Sequence, residues 1–145
     1  MADVYARVSI NFKGELKCVM AKRYQLTNVP RVGESIVLDG GIEDCAEIVV
    51  SRVRHWIDDE VITVECSFDC DSDGMLIDDD RLDKVVIEED SQIDKDIEDL
   101  NGASQSECDA MFEKTWAWTY YKRCFAALGF RDAKGYFWER PNHAH

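Results

Sequence analysis

The first clear signal along the chain is alternation. Val4, Ala6, Val8, Ile10 and Phe12 put an apolar side chain at every second position. Successive side chains of a strand point to opposite faces, so this spacing predicts a half-buried strand. Gly14 permits a turn, and Leu16, Cys18 and Met20 read as one face of a hairpin partner reaching Tyr24. Pro30 and Gly33 interrupt regular structure between Asn28 and Glu34. Ser35 to Leu38 predicts a short strand, with Asp39-Gly40-Gly41 as a turn. Glu47 to Trp56 is rich in β-branched residues, with Ile48, Val50, Val53 and Trp56 as its apolar set. After a turn at Asp58-Asp59, Ile62, Val64, Cys66 and Phe68 alternate again. Together these elements predict a small antiparallel sheet or partly open barrel over about residues 4–68.

Beyond Phe68 the periodicity changes. Residues 69–103 are acid-rich with sparse apolar positions. Within them Val85-Val86-Ile87 predicts one more strand, and Ile93, Ile97 and Leu100 predict a short helix ended by Asn101-Gly102. Ser104 followed three residues later by Glu107 is a capping-box signature, and Gly129 stands where a helix C-terminus wants a left-handed residue. A helix is therefore predicted over Ser104 to Leu128. Cys108, Met111, Trp118, Phe125 and Leu128 mark one face of it, and Phe112, Trp116 and Tyr120 a neighbouring face. Trp116, Trp118 and Tyr120 also alternate as a strand would, but the two caps favour the helix. Gly135-Tyr136-Phe137-Trp138 reads as a last short strand or packed tail. The expected fold class is α+β in one domain, 1–145: a sheet over 1–68, an acidic connecting segment over 69–103, and an aromatic-rich helix with a short tail over 104–145.

A chain of 145 residues with 46% hydrophobic and 32% charged residues can bury a core of its own and is not of disordered composition. The start of the chain has no basic region followed by an apolar run, and no stretch approaches the ~20 apolar residues of a membrane span, so a cytoplasmic protein is expected. In that setting the six cysteines read as reduced, mostly buried thiols rather than as a disulfide framework.

Charge changes the picture more than composition does. The net charge is −13. From Met1 to Ile57 there are 7 acids against 8 Lys and Arg, and from Leu100 to His145 there are 5 against 6. Between Asp58 and Asp99 there are 18 acids against Arg81, Lys84 and Lys95, a local charge of −15. Clustered carboxylates raise the free energy of any compact state that gathers them, so they stay solvated or face a cationic partner. Nucleic acid itself is not an expected ligand, because phosphate contacts need clustered Lys and Arg.

The best chemical motif runs from Asp69 to Asp80. Asp69, Asp71 and Asp73 stand at positions 1, 3 and 5, with Gly74 at 6, Leu76 at 8 and Asp80 at 12. This resembles the calcium loop of an EF-hand, whose carboxylates suit a hard cation. It departs from that loop in two ways: a strand rather than a helix precedes it, and position 12 is Asp80 rather than glutamate. A weak calcium site at Asp69, Asp71, Asp73 and Asp80 is the metal expectation; no other cofactor is expected. Cys66 and Cys70, with His143 and His145 at the chain's end, form a second metal constellation, but a strand separates two cysteines so spaced.

No nucleophile–base arrangement and no glycine-rich phosphate loop is present, and no catalytic residue is assigned. The remaining expectation is an interaction protein, not an enzyme. Asp78, Asp79, Asp80, Glu88, Glu89, Asp90 and Asp94 would face a basic protein, which includes nucleic-acid-binding complexes. Trp116, Trp118 and Tyr120 would anchor it or form a homodimer. In size and acidity the chain resembles phage-encoded anti-restriction and anti-CRISPR proteins and bacterial immunity proteins, which implies an inhibitor. The competing expectations are a calcium- or metal-dependent enzyme or sensor on the Asp69–Asp80 loop, and an accessory subunit of a larger assembly.

Overall fold

A computed structural model describes residues 2–39, 46–72 and 77–133. The strands are β1 (Ala2–Phe12), β2 (Glu15–Leu26), β3 (Ser35–Val37), β4 (Glu47–Trp56), β5 (Val61–Asp69) and β6 (Arg131–Asp132). They form one open sheet in the order β3-β4-β5-β1-β2-β6. The fold is α+β, with the C-terminal helix packed on the sheet as the caps at Ser104 and Gly129 predict. The central pairing differs from the expected antiparallel arrangement: β5 lies parallel to β1, with Val4 beside Ile62 and Ile10 beside Phe68. Every other pairing among the described residues is antiparallel. The cause is that β3, β4 and β5 fold up on the far side of β1 from β2, so the last strand of the meander closes on the first.

One face of this sheet is the core. Val4, Ala6, Val8 and Ile10 of β1, Met20 of β2, Ile48 and Val50 of β4, and Val64, Cys66 and Phe68 of β5 are all buried there. The acidic middle of the chain forms α1 (Asp79–Leu82), whose Leu82 joins this core, and then α2 (Asp90–Asp99). It is followed by α3 (Gln105–Met111), a π-helical turn (Phe112–Trp116) and α4 (Ala117–Ala127). Phe125 of α4 meets Phe68 edge-on with ring centroids 5.3 Å apart, and Tyr121 meets the same ring at 5.0 Å.

Both helix caps form as the sequence predicts. Ser104 Oγ accepts the Glu107 amide at 3.2 Å. At the other end Gly129 has φ +96, its amide donates to Ala126 O, and the Phe130 amide donates to Phe125 O. These two bonds satisfy carbonyls that the helix end would otherwise leave without donors. The helical run between them is unbroken, with a π turn at Phe112–Trp116 that inserts one extra residue.

Val85-Val86-Ile87 is not a strand. Arg123 Nη1 takes the Val85 carbonyl and the Ile87 amide donates to Asp90 Oδ2 at 2.8 Å, so this backbone is held by side chains rather than by a neighbouring strand. The tail at Gly135–Trp138, with His143 and His145, lies outside the described residues; β6 at Arg131–Asp132 precedes it and pairs with Met20 and Ala21. Among the described residues no helix is long and apolar enough to cross a membrane.

Candidate functional site

Among the described residues the carboxylates of the acidic stretch do not make one surface. The hairpin turn holding Asp58, Asp59 and Glu60 joins β4 to β5 at one end of the sheet, and Asp69 closes β5 at the other. Eight residue steps of strand separate these ends by about 25 Å. Glu65, midway along β5, is surrounded by arginines on the sheet face away from the helices. What remains together is the segment 78–99.

That segment is anchored to the body rather than left as a linker. Ile77, Leu82 and Ile87 are buried, and Arg81 Nε donates to Ala127 O at 3.1 Å. Lys122 of α4, 2% exposed, donates to both oxygens of Glu89 at 2.5 and 2.6 Å and lies 3.0 Å from Asp132 of β6. Arg123 pairs with Asp90. Burial alone would lower the basicity of Lys122, but its hydrogen bonds to Glu89 and Asp132 outweigh that and hold its pKa above the ordinary lysine value. The ammonium is therefore charged throughout the neutral range. It joins the acidic segment, the last helix and the edge strand at one point.

This pinning divides the predicted partner-facing residues. Glu89 and Asp90 direct their carboxylates inward, to Lys122 and Arg123. Asp78, Asp79, Asp80, Glu88 and Asp94 are exposed, as are Asp83, Glu98 and Asp99. Asp78 also caps α1, accepting the Asp80 amide at 3.1 Å. On α2 the body-facing side carries Ile93, Asp96 and Leu100, so helical periodicity turns Asp94 and Glu98 outward, one turn apart. Two apolar residues stand bare among these acids: Val86, 86% exposed, and Ile97, 55%.

The aromatic residues also separate. Tyr120 is exposed and Trp116 and Trp118 are half-buried, so the outer aromatic face is led by Tyr120 and by Phe112, one of the marked helix positions, which is exposed as well. Tyr120 stacks edge-on against Tyr121 at 5.2 Å. Burial, first, and then Cys124 and Tyr121 hold its hydroxyl above the ordinary tyrosine pKa; the Asp79 charge on α1 adds to the effect. The structure thus brings Asp79 and Tyr120 to one neighbourhood, although 41 positions separate them in the sequence.

The calcium-loop residues are placed differently. Asp69 Oδ1 accepts the Asp71 amide at 3.0 Å, and Asp71 Oδ2 accepts the Lys13 amide at 2.6 Å. Asp71 thereby ties the turn to the β1–β2 hairpin, while Asp69 closes the turn on itself. Asp80 lies on α1, and Asp73 lies outside the described residues. Among the described residues no group of three or more His, Cys, Asp or Glu is arranged to hold a metal ion. Cys66 points into the core from β5 while Cys70 lies beyond the strand's end, about 13 Å along the backbone.

Lys122 and Arg123 are the residues that sequence reasoning missed. The available signal was position: Lys122 falls between Trp118 and Phe125 on the helix face predicted to be apolar. A lysine there is either exposed by a helix rotation or buried with counter-charges. Compared with known proteins, the chain matches no family model, no curated protein and no solved structure.

Proposed function

We propose that this protein is a non-enzymatic interaction protein whose face formed by α1, the Val86 loop and the outer side of α2 binds a basic protein surface. The observation that carries this reading is the Glu89–Lys122–Asp132 cluster. A segment that served only to solubilise the chain would gain nothing from a fully buried lysine and a paired arginine holding it in place. Burying charged groups costs several kcal/mol unless their pairing is close to complete. Here that cost fixes eight exposed carboxylates in position beside exposed Tyr120.

Fixed carboxylates steer a cationic partner, and the attraction is screened over ~8–10 Å at 0.1–0.15 M salt. Affinity then rests on desolvated anchors at the centre of the contact. Val86, Ile97 and Tyr120 supply these, with Trp116 and Trp118 supporting the aromatic side. Asp94 and Glu98, one helical turn and ~6 Å apart, offer carboxylates at a spacing suited to a surface that also reads phosphates. An inhibitor of a nucleic-acid-binding protein is therefore the form of the function we favour.

Affinity capture from the native cell tests the reading. Wild-type protein and a variant carrying Asp79→Asn, Asp80→Asn, Asp94→Asn and Glu98→Gln are compared side by side. A basic protein retained by the wild type and reduced several-fold by the variant is the expected result. An identical set of retained proteins from both would sink it.

A further inference from the structure

We propose that residues 134–145 fold back across the sheet face turned away from the helices and cover its Tyr5–Thr63–Val61 end. The helix α4 meets the sheet from the opposite side, where Tyr121 and Phe125 hold the Phe68 ring. A bare outer face would leave its side chains wet along the whole length of each strand. Along β5 only one end is wet: Ser67 is exposed, Glu65 is half-buried, and Val61 and Thr63 are buried, Thr63 completely. Strand β4 shows the same gradient. A bulge at Ser51 turns Arg52, Arg54 and Trp56 outward, opposite Glu65, Thr63 and Val61. Val49 and Arg52 are exposed, whereas Arg54 and Trp56 are half-buried. On β1, beside Thr63, Tyr5 keeps 3% of its exposure.

Three strands thus share one covered corner. There Tyr5 and Val61 form, with Trp56, an apolar cluster separate from the main core. Satellite clusters of this kind form beneath an overlying length of chain. The bordering side chains agree, since none of Tyr5, Arg7, Arg54 and Trp56 is without a partner. This burial exists within a single chain, so the cover is the chain's own.

The flanking elements decide which segment it is. Residues 40–45 join Leu38 to Ala46, both in the main core before the start of β4, and Trp56 lies about 30 Å away at the other end of that strand. Residues 73–76 follow the far end of β5 and lead to Ile77, again in the main core, with Val61 about 25 Å away. Residues 134–145 instead leave from β6, at the edge two strands from β1. Arg131 stands in one cross-strand row with Ala21 and Arg7, so this edge borders the outer face. From Ala133, whose amide donates to Val19 O, Tyr5 is two strands in and four residue steps back, roughly 16 Å. The chain must reverse to reach it. Gly135 permits such a turn, and Tyr136, Phe137 and Trp138 follow with apolar surface to match Tyr5, Val61 and Trp56. The 12 residues from Lys134 to His145 extend up to about 40 Å, enough to continue over β5 to β4. The inference does not rest on the acidic face of α1 and α2.

The test is NMR of the full chain with labelled valine and threonine methyls. Nuclear Overhauser contacts from the rings of Tyr136, Phe137 or Trp138 to the Val61 and Thr63 methyls are expected. Replacing all three rings, Tyr136→Ala with Phe137→Ala and Trp138→Ala, should raise the relaxation of those two methyls by a soluble gadolinium chelate at least threefold. The methyls of Val8 and Val64, in the main core, should not change. Absence of the ring-to-methyl contacts in the wild type overturns the proposal whether or not the variant folds. So does a folded variant whose Val61 and Thr63 methyls stay as protected as before. In a mixture of labelled and unlabelled chains, contacts that arise only between chains would also overturn it, assigning the cover to a second copy.

Discussion

Glu89 and Lys122 lie 33 positions apart in the chain, and Lys122 donates to both oxygens of that carboxylate. The pair is asymmetric. Lys122 is buried, while the Glu89 side chain retains 19% of its exposure at the edge of the body. A lysine in that position can be neither removed nor left alone without stranding charge, and this gives the first prediction.

Lys122→Met should destabilise the fold by about 3 kcal/mol, because it leaves Glu89 and Asp132 without their shared cation. Urea denaturation measures this. Adding Glu89→Gln should restore part of the loss. If the single variant melts as wild type does, the cluster does not hold the acidic segment.

Stability should fall at high pH from about pH 9. Burial pushes the Cys18 and Cys66 thiols up to about 12 and Cys124 up to about 11. Burial likewise raises Tyr24 to about 12. A group whose folded pKa lies above its unfolded value contributes stability that is complete below the unfolded pKa and is lost as pH rises toward the folded one. For the thiols that window runs from about pH 9 to the folded values; for Tyr24 it opens near pH 10, and Lys122 adds to the same trend. Thermal melts at intervals from pH 7 to 11 follow it. Replacing Cys66 by Val should flatten the alkaline slope.

Gly129→Ala should cost more than ~1 kcal/mol, the usual penalty for a side chain in the left-handed region. The added Cβ would also meet Lys22 Nζ at 3.1 Å and Cε at 3.2 Å. That contact would push Lys22 off the Leu128 carbonyl, to which it donates at 2.7 Å. Equilibrium unfolding, with Gly102→Ala as a glycine of positive φ and open surroundings, separates strain from contact.

The aromatic residues of the last helix should sort by burial. Phe125→Ala should cost ~3–5 kcal/mol, as for a fully enclosed ring. Tyr120→Ala should change stability by less than ~1 kcal/mol, so a loss of partner binding in that variant reports the surface and not the fold.

Much of this architecture was legible in the chain because the determining signals are local. Val4 to Phe12 and Ile62 to Phe68 alternate because each strand has one face in the core. Ser104, Glu107 and Gly129 mark a helix because capping needs those side chains at those offsets. The parallel placing of β1 beside β5 was not legible, since nothing in either strand distinguishes a neighbour 58 positions away from a hairpin partner. The bulge at Ser51 left a trace in the slip of the apolar phase between Val50 and Val53, and that slip is what delivers Arg52 and Arg54 to one face. For the site, local sequence supplied the carboxylates but not their division. Whether Glu89 faces a partner or an internal cation depends on Lys122, which only the tertiary fold brings near.

The parallel pairing of β1 with β5 also bears on synthesis. At ~5–20 residues per second, the 58 residues between Arg7 and Glu65 take about 3–12 s to emerge. Over that interval the β1–β2 hairpin has an unpaired inner edge, which invites pairing with other nascent chains. The carboxylates of residues 69–99 follow β5 out of the ribosome directly, well before Lys122 can bind Glu89. We expect them to keep neighbouring nascent chains apart by charge repulsion until the last helix arrives. A force-sensing arrest peptide placed at successive lengths would record the outcome: tension should rise once β5 has cleared the exit tunnel, and again when Lys122 does.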